Sequence, residues 1–193
     1  MLFVDGENFT IRAQELAKQE GLKLDLDPAY YLRDVFAWIP EFSSPVQCVR
    51  DFRLFPVENT LGTRAYYYTS AVGDDDRIGG VRRSLRALGF EPRVFKKPSG
   101  SLKSKGVDIT LTKDMLSHAF QDHYRDAVLI AGDGDYVPLV EEVKRFGKRV
   151  YVAFFAGAGF ELSEELHLAA DRFSDISTLF TERWRFRITA LQR

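Results

Sequence analysis

The chain has 193 residues, 45% of them hydrophobic and 28% charged, with a formal net charge of −1. This composition is globular rather than disordered and fits one α/β domain with room for a small appendage; any attraction to nucleic acid or membrane must come from a local patch. The one cysteine, Cys48, excludes an intrachain disulfide, and one Cys with three His argues against a structural zinc site.

The elements read as follows in chain order. "MLFV" is a strand that stops at Asp5-Gly6, and "NFTIRAQELAKQEG" is a helix stopped by Gly21. "DPAYYLRDVFAWI" predicts a second helix, with Asp27 as its cap, Pro28 in its first turn and Tyr31, Leu32, Val35 and Phe36 on its apolar face. "VQCVRDFRLFPV" fits helix or strand. "RAYYYTSAV" is a strand, "DDDRIGGVRRSLRALG" a loop and a helix ended by Gly89, and "EPRVFKKP" a strand closed by Pro98. A lysine-rich loop, "SGSLKSKG", leads into the helix "VDITLTKDMLSHAFQD". Then come the strand "AVLIAG", the helix "YVPLVEEVKRFG", the strand "KRVYVAFF", a helix over "ELSEELHLAADRF" and a basic tail ending at Arg193. The start lacks the basic region of a signal peptide, and no apolar run approaches the length that crosses a bilayer, so a cytoplasmic protein is expected. Cys48 reads as a small buried apolar residue.

Strands alternating with helices predict an α/β fold, a mainly parallel central sheet with helices on both faces. The carboxyl ends of parallel strands share one edge, and ligands of such folds bind there. The acids gather at that edge. Asp5 ends the first strand, Asp133 ends "AVLIAG", Asp135 follows it, and Asp108 opens the helix after the lysine loop. Asn8 sits one turn past Asp5, its amide within reach of a carboxylate or a metal-bound water. Two like charges roughly 4 Å apart repel by about 4 kcal/mol at an effective dielectric near 20. Four converging carboxylates therefore need protons or a hard divalent cation, and oxygen ligands without His or Cys suit Mg2+ or Mn2+. Each acid also has a simpler reading. Asp5-Gly6 is a candidate turn, Asp135 a candidate helix cap, and Asp108 a complement to a helix N-terminus; Asp133 has the weakest structural reason to be where it is.

Asp114 falls on the stripe Val107, Leu111, Asp114, His118, a face that should be packed, so it is expected to bond a backbone amide or to orient the site from behind the ligands. Asp74, Asp75 and Asp76 read as a solvated loop. His118 and His123 have no nucleophile partner, and "GGVRRSLRALG" lacks the spacing of a phosphate loop. "RVFKKPSGSLKSKG" carries Arg93, Lys96, Lys97, Lys103 and Lys105 and no acid. A cationic segment running into Asp108 suits a polyanion backbone, with Lys96, Lys97, Lys103 and Lys105 as phosphate-binding candidates.

"FVDGEN" (Phe3 to Asn8), "KGVDITLTKD" (Lys105 to Asp114) and "LIAGDGDYVPLVEEVKRFGKRVYV" (Leu129 to Val152) resemble, in order, the three signature blocks of the NYN domain, the LabA-like branch of the PIN-like nuclease superfamily. "AADRFSDI" resembles the closing segment. The resemblance implies a three-layer α/β/α PIN-like fold over residues 1–180, an insert of about 23–62 outside it, and a basic tail at 181–193. It implies a ribonuclease using Mg2+ or Mn2+, with Asp5, Asp108, Asp133 and Asp135 as metal ligands and Asn8 as their companion. Gly134 stands where the family often has Ser. RNA is the expected partner, a homodimer through the aromatic insert a further one, and no membrane is expected. The competing readings are a catalytically silent RNA- or protein-binding module and, on "DGDYV", an aspartyl-phosphatase. The latter motif normally comes early in the chain and here lacks its paired acids.

Overall fold

The computed structural model describes residues 1–22, 64–98, 105–156, 163–182 and 185. The helix expected at 27–39, the ambiguous segment after it, Cys48, Lys103, most of the basic tail and the side chain of Lys105 lie outside the described residues.

Six strands form one sheet: β1 (Leu2–Asp5), β2 (Ala65–Val72), β3 (Glu91–Lys97), β4 (Asp126–Ile130), β5 (Arg149–Phe154) and β6 (Arg172–Asp175), in the order β3-β2-β1-β4-β5-β6. All five pairings are parallel. Among the described residues, the helices include α1 (Gly6–Gln19), α2 (Asp75–Ala87), α3 (Lys105–Phe120), α4 (Val137–Arg145) and α5 (Glu164–Ala169), with a 3-10 turn at Gly134–Tyr136 before α4, and residues 177–182 are helical as well. The pleat sorts the core into two layers. Leu2, Val4, Tyr67, Val128 and Ile130 pack with α1 and α2 on one face. Phe3, Tyr66, Tyr68, Leu129 and Val152 pack with α3, α4 and Leu166 of α5 on the other. Central strands buried on both sides read as continuous apolar runs, which is why "LFV" and "AVLI" were legible.

One expected helix is shorter than its sequence suggested. The reading of "ELSEELHLAADRF" as a helix throughout is corrected: α5 stops at Ala169, whose successor Ala170 is extended. Asp171 then accepts the backbone N–H of Val150 at 2.7 Å, laying the chain beside β5 as β6. A four-residue edge strand without an apolar run carries little periodic signal.

The chain builds outward from β1 through β2 to β3, then returns to β4 on the other side of β1. The order of the strands thus reverses between β1 and β4. The helices that follow these two strands cover opposite faces, which opens a crevice at their carboxyl ends. Among the described residues, no helix is long and apolar enough to cross a membrane.

Candidate active site at the carboxyl edge of the sheet

Asp5 stands at that crevice. It is the last residue of β1 and the N-cap of α1, and its Oδ1 accepts the Asn8 backbone N–H at 2.9 Å. Strand passes to helix with no intervening loop because position 6 is glycine: a Cβ there would lie 2.1 Å from Cε1 of the Tyr67 ring. Asp5 shares the pleat face of Phe3, so its side chain points toward α3 and α4. There the Tyr136 hydroxyl donates to Asp5 Oδ2 at 2.8 Å and also lies 3.2 Å from Asp108 Oδ1, in the first turn of α3. Two acids from remote segments thus face one phenol oxygen.

Asp5 is 3% exposed. Burial pushes its carboxyl up to about 7; the bonds from Asn8 and Tyr136 oppose this, and the charges of Asp108 and Glu7 add to it. The Tyr136 hydroxyl is raised above the ordinary tyrosine value, first by burial and then by the two carboxylates, so it remains a protonated donor.

Asp133 and Asp135 lie on the adjoining turn. Asp133 is half-buried and caps the 3-10 turn, its Oδ1 accepting the Asp135 N–H at 3.2 Å, while Asp135 is exposed. The capping expectation for Asp135 is therefore reversed. It is Asp133 that has a structural role, and α4 begins after Tyr136 with no side-chain cap. Gly134, between them, is tightly enclosed: a Cβ would lie 2.8 Å from Ser163 Oγ, the N-cap of α5. Asn8 does more than accompany Asp5. Its Oδ1 accepts the Gly132 N–H at 3.0 Å, tying α1 to the end of β4 across the crevice.

Two of the four expected carboxylates, Asp5 and Asp108, face each other across the Tyr136 hydroxyl. Asp133 and Asp135 lie on the turn that ends at Tyr136. Among the described residues, no three His, Cys, Asp or Glu side chains are grouped closely enough to hold an ion. Asp114 accepts from Tyr68 at 3.2 Å and from Arg93 at 3.3 Å, so it braces α3 against β2 and β3. Tyr68 is the register partner of Asp5.

The lysines divide. Lys96 pairs at the surface with Asp75 at 3.0 Å. Lys97, a phosphate-binding candidate in the sequence, is paired with an acid here: its ammonium lies 3.0 Å from Glu7 Oε1, the two side chains being 10% and 7% exposed, and Ser70 Oγ donates to the same oxygen at 3.1 Å. A buried glutamate needs that counter-charge. Glu7, Ser70 and Tyr136 were missed in the sequence. Only the motif position of Glu7 in "DGEN" hinted at it, and a tyrosine after "DGD" reads as core.

A doubly wound, all-parallel sheet of six strands with helices on both faces is an α/β architecture consistent with the PIN-like fold. The chain belongs to the NYN domain family, which matches residues 1–177 and which makes it a member of the PIN-like nuclease superfamily. It is similar in fold to the crystal structure of VPA0982, a protein of unknown function from Vibrio parahaemolyticus. The two are 23% identical, with a TM-score of 0.53, over 91% of this chain and 90% of that one. A comparison with curated proteins gives no match.

Proposed function

We propose that this chain is a metal-dependent ribonuclease of the LabA-like branch, hydrolysing RNA phosphodiester bonds with Mg2+ or Mn2+ held by Asp5 and Asp108, while Asp133 and Asp135 add negative charge from the adjoining turn. The observation that carries this reading is the Asp5–Asp108 pair, two carboxylates facing one hydroxyl at the switch point, one of them buried at a cost that a cation would remove. The donors fit such an ion. All are hard oxygens, and Mg2+ commonly takes one or two carboxylates, keeps several waters and leaves positions for phosphate. When bound, an ion of this kind supplies an acidified water and stabilises charge on phosphate oxygens.

The chain's own residues do the rest. The Asn8–Gly132 bond fixes the width of the crevice, and the Asn8 N–H fixes Asp5. Lys96 and the segment bearing Lys103 and Lys105 hold the backbone of an RNA strand ahead of Asp108. The three sequence blocks support the LabA-like assignment, and the single cysteine supports the cytoplasm.

A labelled single-stranded RNA incubated with Mn2+ and Asp108→Asn tests the reading. Asp108 is exposed, so its neutral isostere should leave folding intact. Cleavage by the parent and a loss of at least about 100-fold in the variant is expected, comparable to the effect of removing one charge-stabilising group from an active site. Equal cleavage by the two would remove Asp108 from the chemistry.

A second reading, a silent RNA- or protein-binding module, draws on the narrowness of the acid cluster, two facing carboxylates with no group of three among the described residues. Retention of the RNA on a filter, uncut under every divalent ion tried, would favour it.

A further inference from the structure

The carboxylates of Asp5 and Asp108 come from a strand end and a helix start, and neither segment alone determines how they face each other. The Tyr136 hydroxyl does, at 2.8 Å from Asp5 Oδ2 and 3.2 Å from Asp108 Oδ1. Its oxygen is not on a flexible stem. The ring is 2% exposed and belongs to the core that α3 and α4 form against the sheet, and the residue closes the 3-10 turn that Asp133 caps. Packing therefore fixes the oxygen, and the oxygen in turn fixes the carboxylates. The phenol has one proton, which goes to one acceptor at a time. The shorter contact assigns it to Asp5, and Asp108 can take it when Asp5 is otherwise engaged. Each carboxylate oxygen has about two lone-pair sites, so a bond from Tyr136 leaves both acids able to accept a cation. Phenylalanine would fill the same core space and provide none of this alignment.

We propose that Tyr136 is a positioning residue for the metal-ligand pair, its buried hydroxyl holding Asp5 and Asp108 in the orientation in which they receive a divalent cation. The proposal rests on the metal-dependent reading above and adds to it a residue that touches the ligands and not the substrate. Groups that hydrogen-bond metal ligands from behind typically change metal affinity by about 10–100-fold when removed.

The test is Tyr136→Phe, titrated with Mn2+ by calorimetry without RNA, alongside the parent, Asp108→Asn and the double variant. Thermal melts in EDTA establish that each is folded. The expected result is Mn2+ binding about 10–100-fold weaker in Tyr136→Phe. On the Asp108→Asn background the same change should cost much less, because one of the two groups to be aligned has lost its charge. Affinity of the folded Phe variant within about threefold of a parent that does bind Mn2+ would overturn the role of Tyr136 and leave the metal-dependent reading intact. A parent that binds no Mn2+ would overturn both.

Discussion

At the scale of single residues, Asp5 has an unusual pH signature. Its carboxyl is raised to about 7 in the folded chain against an ordinary 3.8. Between those values the folded state holds more protons than the unfolded one, so stability falls as pH rises through that window and levels off above about 7. Without a divalent ion, Asp5→Asn should therefore be more stable than the parent at pH 8, by of order 2–4 kcal/mol, and lose that advantage near pH 4. Asparagine keeps the cap acceptor for the Asn8 N–H, and its NH2 group then faces the Tyr136 hydroxyl, which is free to turn its proton to Asp108. Urea titrations in EDTA at the two pH values check this; a parent as stable as the variant at pH 8 would mean that Asp5 is not strained by its burial. Lys97 gives the opposite case. Lys97→Met removes the counter-charge of the buried Glu7 and should cost about 3–5 kcal/mol, whereas adding Glu7→Gln should recover most of the loss. If Lys97→Met melted with the parent and lost only RNA affinity, Lys97 would be a phosphate ligand after all. Neither the Glu7–Lys97 pair nor the Tyr136 contacts could be read from sequence, since Glu7 and Lys97 stand 90 residues apart and Tyr136 stands 131 from Asp5 and 28 from Asp108, and no local pattern encodes such a bond.

Among the elements, the turn from β4 into α4 couples to the start of α5. Gly134 and Ser163 Oγ leave no room for a Cβ between them. The departure from the family's common serine thus has a local reason: here the space is taken by a cap hydroxyl from another segment. Gly134→Ser should destabilise by about 1–3 kcal/mol. Pairing it with Ser163→Gly should restore part of the loss, because glycine at an N-cap costs only a few tenths of a kcal/mol. Denaturation midpoints of the two single variants and the double variant measure this coupling, and strict additivity would refute it. The long apolar strands and the capped helices were legible because burial on both sides and a helical period leave a pattern. The strand β6 was not, being four partly exposed residues held by Asp171 and by pairing with β5. Asp133 and Asp135 were both legible as turn acids, but which of them caps was not, since that depends on a 3-10 turn coming before the helix.

Over the whole molecule, the sheet is what makes separate acids into a site. Six parallel strands put every carboxyl end on one edge, and the reversal of strand order beside β1 opens the crevice where Asp5 lies. That much follows from alternating strands and helices, so Asp5, Asp108, Asp133 and Asp135 could be assigned to one edge from sequence alone. How closely they approach could not, because it depends on side-chain directions set by the core, which bring Asp5 and Asp108 to one hydroxyl. The central claim is that this pair holds a divalent cation. A crystal soaked in Mn2+, with anomalous scattering recorded at the manganese edge, tests it most directly. The account predicts an anomalous peak in contact with both the Asp5 and Asp108 carboxylates, lost in Asp108→Asn. Strong peaks elsewhere on the surface with none between these two side chains would contradict it.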